Sequence, residues 1–104
     1  MEVKDLDNIV ENAKLAAQLL KSMSNEYRLL ILCHLGGQEL SVGELNDLID
    51  ISQSALSQHL ARLRNEELVA TTRKSQTIYY RVANPVVLKL IELLYEEFCG
   101  NTEQ

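Results

Sequence analysis

Glycine, proline and cysteine are scarce in this sequence of 104 residues, which has four glycines, one proline, two cysteines, two histidines and no tryptophan. The glycines are not spaced as in a phosphate-binding loop. Two cysteines and two histidines are too few for a zinc cage, and we expect no metal and no cofactor. No apolar run is long enough to span a membrane, and no charged segment precedes an apolar one at Met1. We therefore expect a cytoplasmic protein, in whose reducing surroundings a structural disulfide is not favoured.

The composition predicts one folded domain that spans residues 1–104. Hydrophobic residues make up 46% of the chain and charged residues 24%, so it can bury a core and is not disordered. A chain of this length still leaves much of its surface in water, which favours help from a partner subunit. The two ends, 1–5 and 101–104, are expected to be flexible tails.

Charge is distributed unevenly along the chain, whose net charge is −5. The stretch 52–84 contains five basic and two acidic residues, whereas the rest contains five basic and thirteen acidic ones. A basic segment in an acidic body is typical of a protein that meets phosphate on one face only. The alternative is an ordinary solvated mixture of charges, and the pattern alone does not decide between the two.

Apolar residues at helical spacing predict two helices in the first third of the chain. The first covers residues 6–20 in about four turns and is amphipathic. The second, 27–35, is largely apolar, with Ser24 as its predicted N-cap and a glycine pair after its end.

Two short helices joined by a tight turn follow, which is the pattern of a helix-turn-helix. Ser41 and Glu44 form a capping box that begins the first of these helices. It is predicted to end at Ile49 and to turn two leucines inward, Leu45 and Leu48.

The second helix of the pair, 53–66, carries short hydrogen-bonding side chains at its N-terminal end, and its predicted inner face is Leu56, Leu60 and Leu63. Such side chains let a helix approach base edges in the major groove, where glutamine can form a bidentate pair with adenine. The alternative is a solvated polar face, although helix interiors usually avoid this much serine. The residues predicted to contact DNA here are Ser52, Gln53, Ser54, Ser57, Gln58, His59 and Arg62.

A β-hairpin is predicted next, because the segments 68–73 and 77–82 are β-prone and flank a polar, basic tip. Beside a recognition helix this hairpin would be a wing that contacts backbone phosphate through Arg73, Lys74 and Gln76. On its own the tip could equally be an exposed turn with charges that protect an edge strand.

A fifth helix is predicted from Pro85, with Asn84 as N-cap, to Cys99, where Gly100 ends it. Its apolar residues leave only a thin polar stripe, and one subunit cannot cover so much apolar surface. The predicted fold is therefore mainly α (α+β): four helices, two strands and a final helix in a winged helix-turn-helix, which dimerises through its first and last helices.

An enzyme is not expected. His34 lies in an apolar segment and His59 lies on the predicted recognition helix, and neither has an evident carboxylate to orient it in a triad. Metal binding by Cys33, His34 and Cys99 is disfavoured because neighbours on a helix point about 100° apart.

Three stretches carry a family resemblance: 40–45, which reads LSVGEL; 52–63, which reads SQSALSQHLARL; and 78–80, which reads IYY. They resemble the ArsR/SmtB family of bacterial repressors, and the likeness covers nearly the whole chain. The resemblance implies a winged-helix homodimer whose partner is double-stranded DNA with a palindromic operator. It also implies that the helix after Ser52 binds the operator and that the wing at 73–76 assists.

The likeness does not extend to the metal sites of that family. Metal-sensing members carry a Cys-x-Cys pair where this sequence reads SVG at 41–43, and others use Asp and His pairs on a last helix that here has no histidine. One cysteine in the second helix and one at the end of the last resemble the metal-independent subgroup that includes HlyU, SqrR and BigR. That subgroup implies redox or reactive-sulfur sensing through Cys33 and Cys99.

The alternative for Cys33 is a small core residue, and for Cys99 an incidental terminal thiol. Two other functions also stay open. One is a metal- or ligand-responsive regulator of the same family with an atypical site, and the other is a protein–protein interaction module.

Overall fold

Residues 6–99 are described by the computed structural model and form five helices and three short strands in a winged helix-turn-helix. In chain order the elements are α1 (Leu6–Met23), α2 (Glu26–Leu35), β1 (Leu40–Ser41), α3 (Val42–Leu48), α4 (Gln53–Asn65), β2 (Val69–Lys74), β3 (Thr77–Val82) and α5 (Pro85–Phe98). The predicted winged helix-turn-helix fold of the subunit is confirmed. The tails expected at 1–5 and 101–104, and the helix end expected at Gly100, lie outside the described residues. Within 6–99, no helix combines the length and the apolar character that a membrane span needs.

The helices begin at side-chain caps. The predicted capping box is confirmed, because Ser41 Oγ accepts from the Glu44 N–H at 3.1 Å while the Ser41 N–H donates to Glu44 Oε1 at 2.9 Å. The N-cap predicted at Ser24 is wrong, since Asn25 Oδ1 accepts from the N–H groups of the first turn of α2. Serine and asparagine are equally good caps, so neighbouring candidates cannot be separated by residue type.

The wing belongs to an antiparallel sheet whose strand order is β1-β3-β2. β2 and β3 pair from Val69↔Val82 to Lys74↔Thr77, and β1 pairs with β3 through Leu40↔Tyr80. β1 was not predicted, because two residues are too short to show an alternating pattern. It attaches the segment just before α3 to the wing.

The core lies between α2, α3, α4 and the last helix. The predicted inner face of α4 is confirmed, since its three leucines are fully buried. On α3, Leu45 is buried as predicted but Leu48 is exposed, and Ile49 is buried in its place. Residue 49 lies only about 40° from residue 45 around the helix, whereas residue 48 lies about 60° away on the other side and faces water.

α1 extends away from this core. Every side chain from 8 to 18 is exposed, and the residues of α1 that are buried or packed against the core lie in its last two turns, at Leu19, Ser22 and Met23. A helix that carries exposed apolar residues such as Val10 and Leu15 over three turns is not stabilised by its own subunit.

Candidate DNA interface and cysteine pair

The turn between α3 and α4 is held by hydrogen bonds. Asn46 donates from Nδ2 to the carbonyl oxygen of Ile51 at 2.9 Å, and the Ile51 N–H donates to the carbonyl oxygen of Ile49 at 3.0 Å. Ser52 then caps α4, since its Oγ accepts from the Ala55 N–H at 3.1 Å. These bonds fix the direction in which α4 leaves the turn, so its polar face is presented rigidly.

The outer face of the first two turns of α4 is polar and accessible. Because Leu56, Leu60 and Leu63 turn inward, the side chains on the opposite side face solvent. They are Gln53, Ser54, Ser57 and Gln58. Apart from Ser54, whose Oγ lies 3.4 Å from Ser52 Oγ, these side chains make no hydrogen bond within residues 6–99. Their donors and acceptors can therefore bind base edges.

His59 lies on a different side of α4, where it packs against α2. Its ring stacks on Tyr27 with centroids 6.1 Å apart and planes inclined by 29°. Burial lowers the pKa of His59, and the nearby charges of Arg28 and Arg62 lower it further. The structure therefore places His59 between two helices and not among the outward residues.

Arg62 also lies on this side, in a polar cluster that joins α1, α2 and α4. Its Nε lies 3.4 Å from Glu66 Oε2, and the Ser22 hydroxyl donates to the same carboxylate. The buried Arg28 donates from Nε to the carbonyl oxygen of Ser22 at 2.6 Å. Burial lowers the pKa of Arg28, and the Glu66 charge opposes that shift. The cluster fastens the C-terminal end of α4 to the last turn of α1.

The wing ends in a two-residue turn at Ser75 and Gln76, where Ser75 has a φ of 59°. Arg73 donates from Nε to the carbonyl oxygen of Ser75 at 3.2 Å, and its side chain and that of Gln76 are exposed. Lys74 instead binds a carboxylate, since its Nζ lies 2.8 Å from Glu39 Oε1.

Glu39 did not stand out in the sequence, because it is distant from the wing along the chain and belongs to no motif. It is brought beside Lys74 by β1. The hydrogen bond from Lys74 lowers the pKa of Glu39, and the same bond raises the pKa of Lys74. Both groups therefore stay charged at neutral pH. Of the two predicted cations of the wing, Lys74 is paired with a carboxylate, whereas Arg73 has no carboxylate partner within residues 6–99.

Cys33 lies in the last turn of α2 and Cys99 directly follows α5, and their sulfurs are not bonded. Cys33 lines an open cleft of about 490 Å³ between these helices, with Ile91 and Tyr95 on the α5 side. The Cys99 N–H donates to the carbonyl oxygen of Tyr95 at 2.7 Å. Partial burial raises the pKa of Cys33, and the negative charge of Cys99 raises it further, so the two thiols are close enough to interact.

No group of three or more His, Cys, Asp or Glu side chains in residues 6–99 is arranged to hold a metal ion. Two acidic residues, Glu92 and Glu96, do line the cleft beside Cys33.

Known proteins resemble this chain in sequence and structure. The sequence profile of the family described as bacterial regulatory protein, arsR family, matches residues 25–71. The transcriptional activator HlyU of Vibrio cholerae is 48% identical over 95 residues, which cover 91% of this chain and 88% of that protein. The biofilm growth-associated repressor of Agrobacterium fabrum is 44% identical over 87 residues, covering 84% of this chain and 74% of the repressor. The solved structure of reduced HlyU from Vibrio cholerae aligns with a TM-score of 0.85 and 49% identity over 88% of this chain and 97% of that one.

Proposed function

Since this chain belongs to the ArsR family of bacterial regulatory proteins, we propose that its two cysteines control how tightly this DNA-binding transcriptional regulator holds its operator. The chain is a regulator and not an enzyme. Of the two relatives compared, one is called an activator and the other a repressor. We propose that this protein acts in the cytoplasm by one route: its binding excludes another protein from the operator. If the excluded protein is a polymerase, the gene is repressed. If it is a silencer, the gene is expressed.

The proposed DNA interface is the outward face of α4 together with the wing tip. Gln53, Ser54, Ser57 and Gln58 would read base edges, because they are exposed and free of strong competing bonds. Arg73, Lys74 and Gln76 would contact backbone phosphate. The other members of the predicted set stay in the proposed interface and also support α4: Ser52 through its cap, His59 through Tyr27, and Arg62 through Glu66.

The proposed assembly is a homodimer through α1 and α5. α1 is exposed on all sides over three turns, and α5 exposes Val86 and Leu93. A second copy of the chain would cover both helices at once and place two α4 helices on one side of the dimer. Such a pair reads two related half-sites, so the operator is expected to be palindromic.

The positions of the two cysteines are the main support for the proposal that thiol chemistry controls operator affinity. Cys33 is on α2, which packs against α4, and Cys99 follows α5, which belongs to the proposed dimer interface. A covalent bridge between them would couple that interface to the spacing of the two α4 helices. Oxidation by a peroxide or a low-molecular-weight disulfide would join the two sulfurs, releasing two protons and two electrons to the oxidant. A polysulfide would instead transfer one sulfane sulfur to each thiolate and leave as a sulfide one sulfur shorter, and condensation of the two persulfides would form a trisulfide bridge and release hydrogen sulfide.

Mass spectrometry of the protein after polysulfide, peroxide and disulfide treatment tests this chemistry. We expect a linked peptide pair that contains Cys33 and Cys99, with or without added sulfur, and its loss on reduction. In the reduced protein Cys33 should react slowly with iodoacetamide near neutral pH, because its raised pKa keeps it protonated. Below that pKa the rate should rise about tenfold per pH unit, since the thiolate fraction does so.

Cys99→Ser provides the matched variant, because it removes the charge that helps to raise the pKa of Cys33. The alkylation of Cys33 should then be faster at the same pH. Cross-links that form only between subunits, or cysteines that stay unmodified under all three treatments, would contradict the proposed bridge.

A further inference from the structure

We propose that Glu39 is an internal competitor for DNA phosphate, which occupies Lys74 of the wing and weakens the sequence-independent part of DNA binding. This proposal rests on the proposed contact between the wing and the DNA backbone. It assigns a role in DNA affinity to a residue that lies outside both the helix-turn-helix and the hairpin.

The sheet places Glu39 on the same face as three polar wing side chains. Glu39 directly precedes β1, and the pairing of Leu40 with Tyr80 brings it opposite Arg81. Because side chains alternate along strands, Arg81, Thr72 and Lys74 lie on one face of the hairpin. Lys74 reaches back along this face to Glu39, with Nζ 2.8 Å from Oε1 and 5.3 Å from the centre of the Tyr79 ring.

The carboxylate of Glu39 has the same chemistry toward Lys74 that a phosphodiester oxygen would have. Each presents an anionic oxygen at hydrogen-bond distance to an ammonium group. The pair is charged at neutral pH, because the lysine lowers the pKa of Glu39 and the carboxylate raises that of Lys74. Glu39 therefore neutralises the charge to which a phosphate would otherwise bind.

The neighbouring cation of the wing, Arg73, is not paired with a carboxylate within residues 6–99. It lies one residue before Lys74 and is exposed, and within residues 6–99 it binds only the carbonyl oxygen of Ser75 and no carboxylate. Its charge remains available to the backbone. The two adjacent cations should therefore contribute unequally, with Arg73 contributing more than Lys74 in the unmodified protein.

The consequence concerns the affinity for any DNA sequence. Contacts to phosphate strengthen binding to every sequence, so a wing cation that is already neutralised lowers the affinity for operator and non-operator DNA by the same factor. Glu39 would thus lower the overall affinity and its salt dependence without changing how α4 reads bases.

The test measures binding to a fluorescein-labelled duplex of about 30 bp with mixed sequence, by anisotropy over a KCl series from about 50 to about 200 mM. The proteins are the unmodified chain, Glu39→Gln, Lys74→Ala, the double variant and Arg73→Ala. Glu39→Gln should bind several-fold more tightly, with a salt slope steeper by about 0.9 for each wing in contact. The double variant should bind like Lys74→Ala, because the effect of Glu39 requires the lysine.

Asp47→Asn is the matched control, since it removes one exposed carboxylate from α3 that makes no ion pair within residues 6–99. If Asp47→Asn gains as much affinity for the duplex as Glu39→Gln does, the effect is a general one of charge and the proposal is overturned. The same holds if Glu39→Gln gains as much affinity in a protein that also carries Lys74→Ala as it does alone. Weaker or unchanged binding of Glu39→Gln, with a normal melting temperature, would also overturn it. If Arg73→Ala, Lys74→Ala and Glu39→Gln all bind the duplex like the unmodified chain, the proposed contact between the wing and the DNA backbone is wrong.

Discussion

Replacing Leu93 with glutamate is expected to convert the proposed dimer into a monomer and to weaken binding to a palindromic operator by about 100-fold or more. Leu93 lies on the flank of α5 that would face the partner subunit and is 53% exposed in the isolated subunit. A glutamate there stays in water in the monomer but would be buried without a partner in the dimer. Loss of the dimer removes the second α4 helix, and with it the gain from two linked contacts.

The measurement is molar mass by light scattering, followed by titration of an operator duplex selected from a random library with the reduced protein. Leu48→Glu is the matched control, because this leucine is 54% exposed on α3 and should leave the mass unchanged. Leu90 and Leu94 are poorer choices, since both line an apolar groove with Met23 and a charge there would unfold the subunit. A Leu93→Glu protein that remains a dimer would place the interface elsewhere.

Gln58→Ala is expected to weaken binding to the selected operator by about 5- to 150-fold, which corresponds to about 1–3 kcal/mol for a bidentate base contact. Gln58 is exposed on the outer face of α4, and its amide makes no hydrogen bond within residues 6–99. Alanine removes the pair with the base and leaves the helix stable. Binding to a mixed-sequence duplex should change little, because phosphate contacts are kept.

Gln38→Ala is the control for this variant. Gln38 is also exposed but lies between α2 and β1 and donates to the carbonyl oxygen of His34. Selection with the Gln58→Ala protein should recover operators with relaxed preference at one position in each half-site. If selection returns the unaltered operator and the affinity is unchanged, α4 does not read DNA through this residue.

The elements with strong local signals could be predicted from the sequence. The capping box at Ser41, the cap and proline at the start of α5, and the three buried leucines of α4 each depend on residues within one or two turns. The change from helical to alternating period also marked the hairpin, although β2 is shifted by one residue from the predicted segment.

Features that depend on contacts distant in sequence could not be predicted. β1 exists only because β3 pairs with it. Lys74 looked like a free phosphate contact until the fold brought Glu39, 35 positions earlier in the chain, within 2.8 Å of it. The partners that Arg62 meets at the end of α4, in a cluster with Glu66 and Ser22, likewise could not be read from the sequence, and its contact with DNA stays a prediction. A sequence motif identifies which residues can bind DNA, whereas the fold decides which of them are already occupied.

A bridge between Cys33 and Cys99 is expected to change the affinity of the protein for its operator. The most direct measurement is titration of the selected operator duplex, at one salt concentration, with reduced protein and with protein treated with polysulfide. We predict that treatment weakens binding by about 5- to 150-fold, the usual range for coupling between two sites, and that reductant restores it. Cys33→Ser and Cys99→Ser should bind as tightly as the reduced protein with or without treatment. Equal affinity of the reduced and treated unmodified proteins, once mass spectrometry has shown the bridge in the treated sample, would contradict the claim.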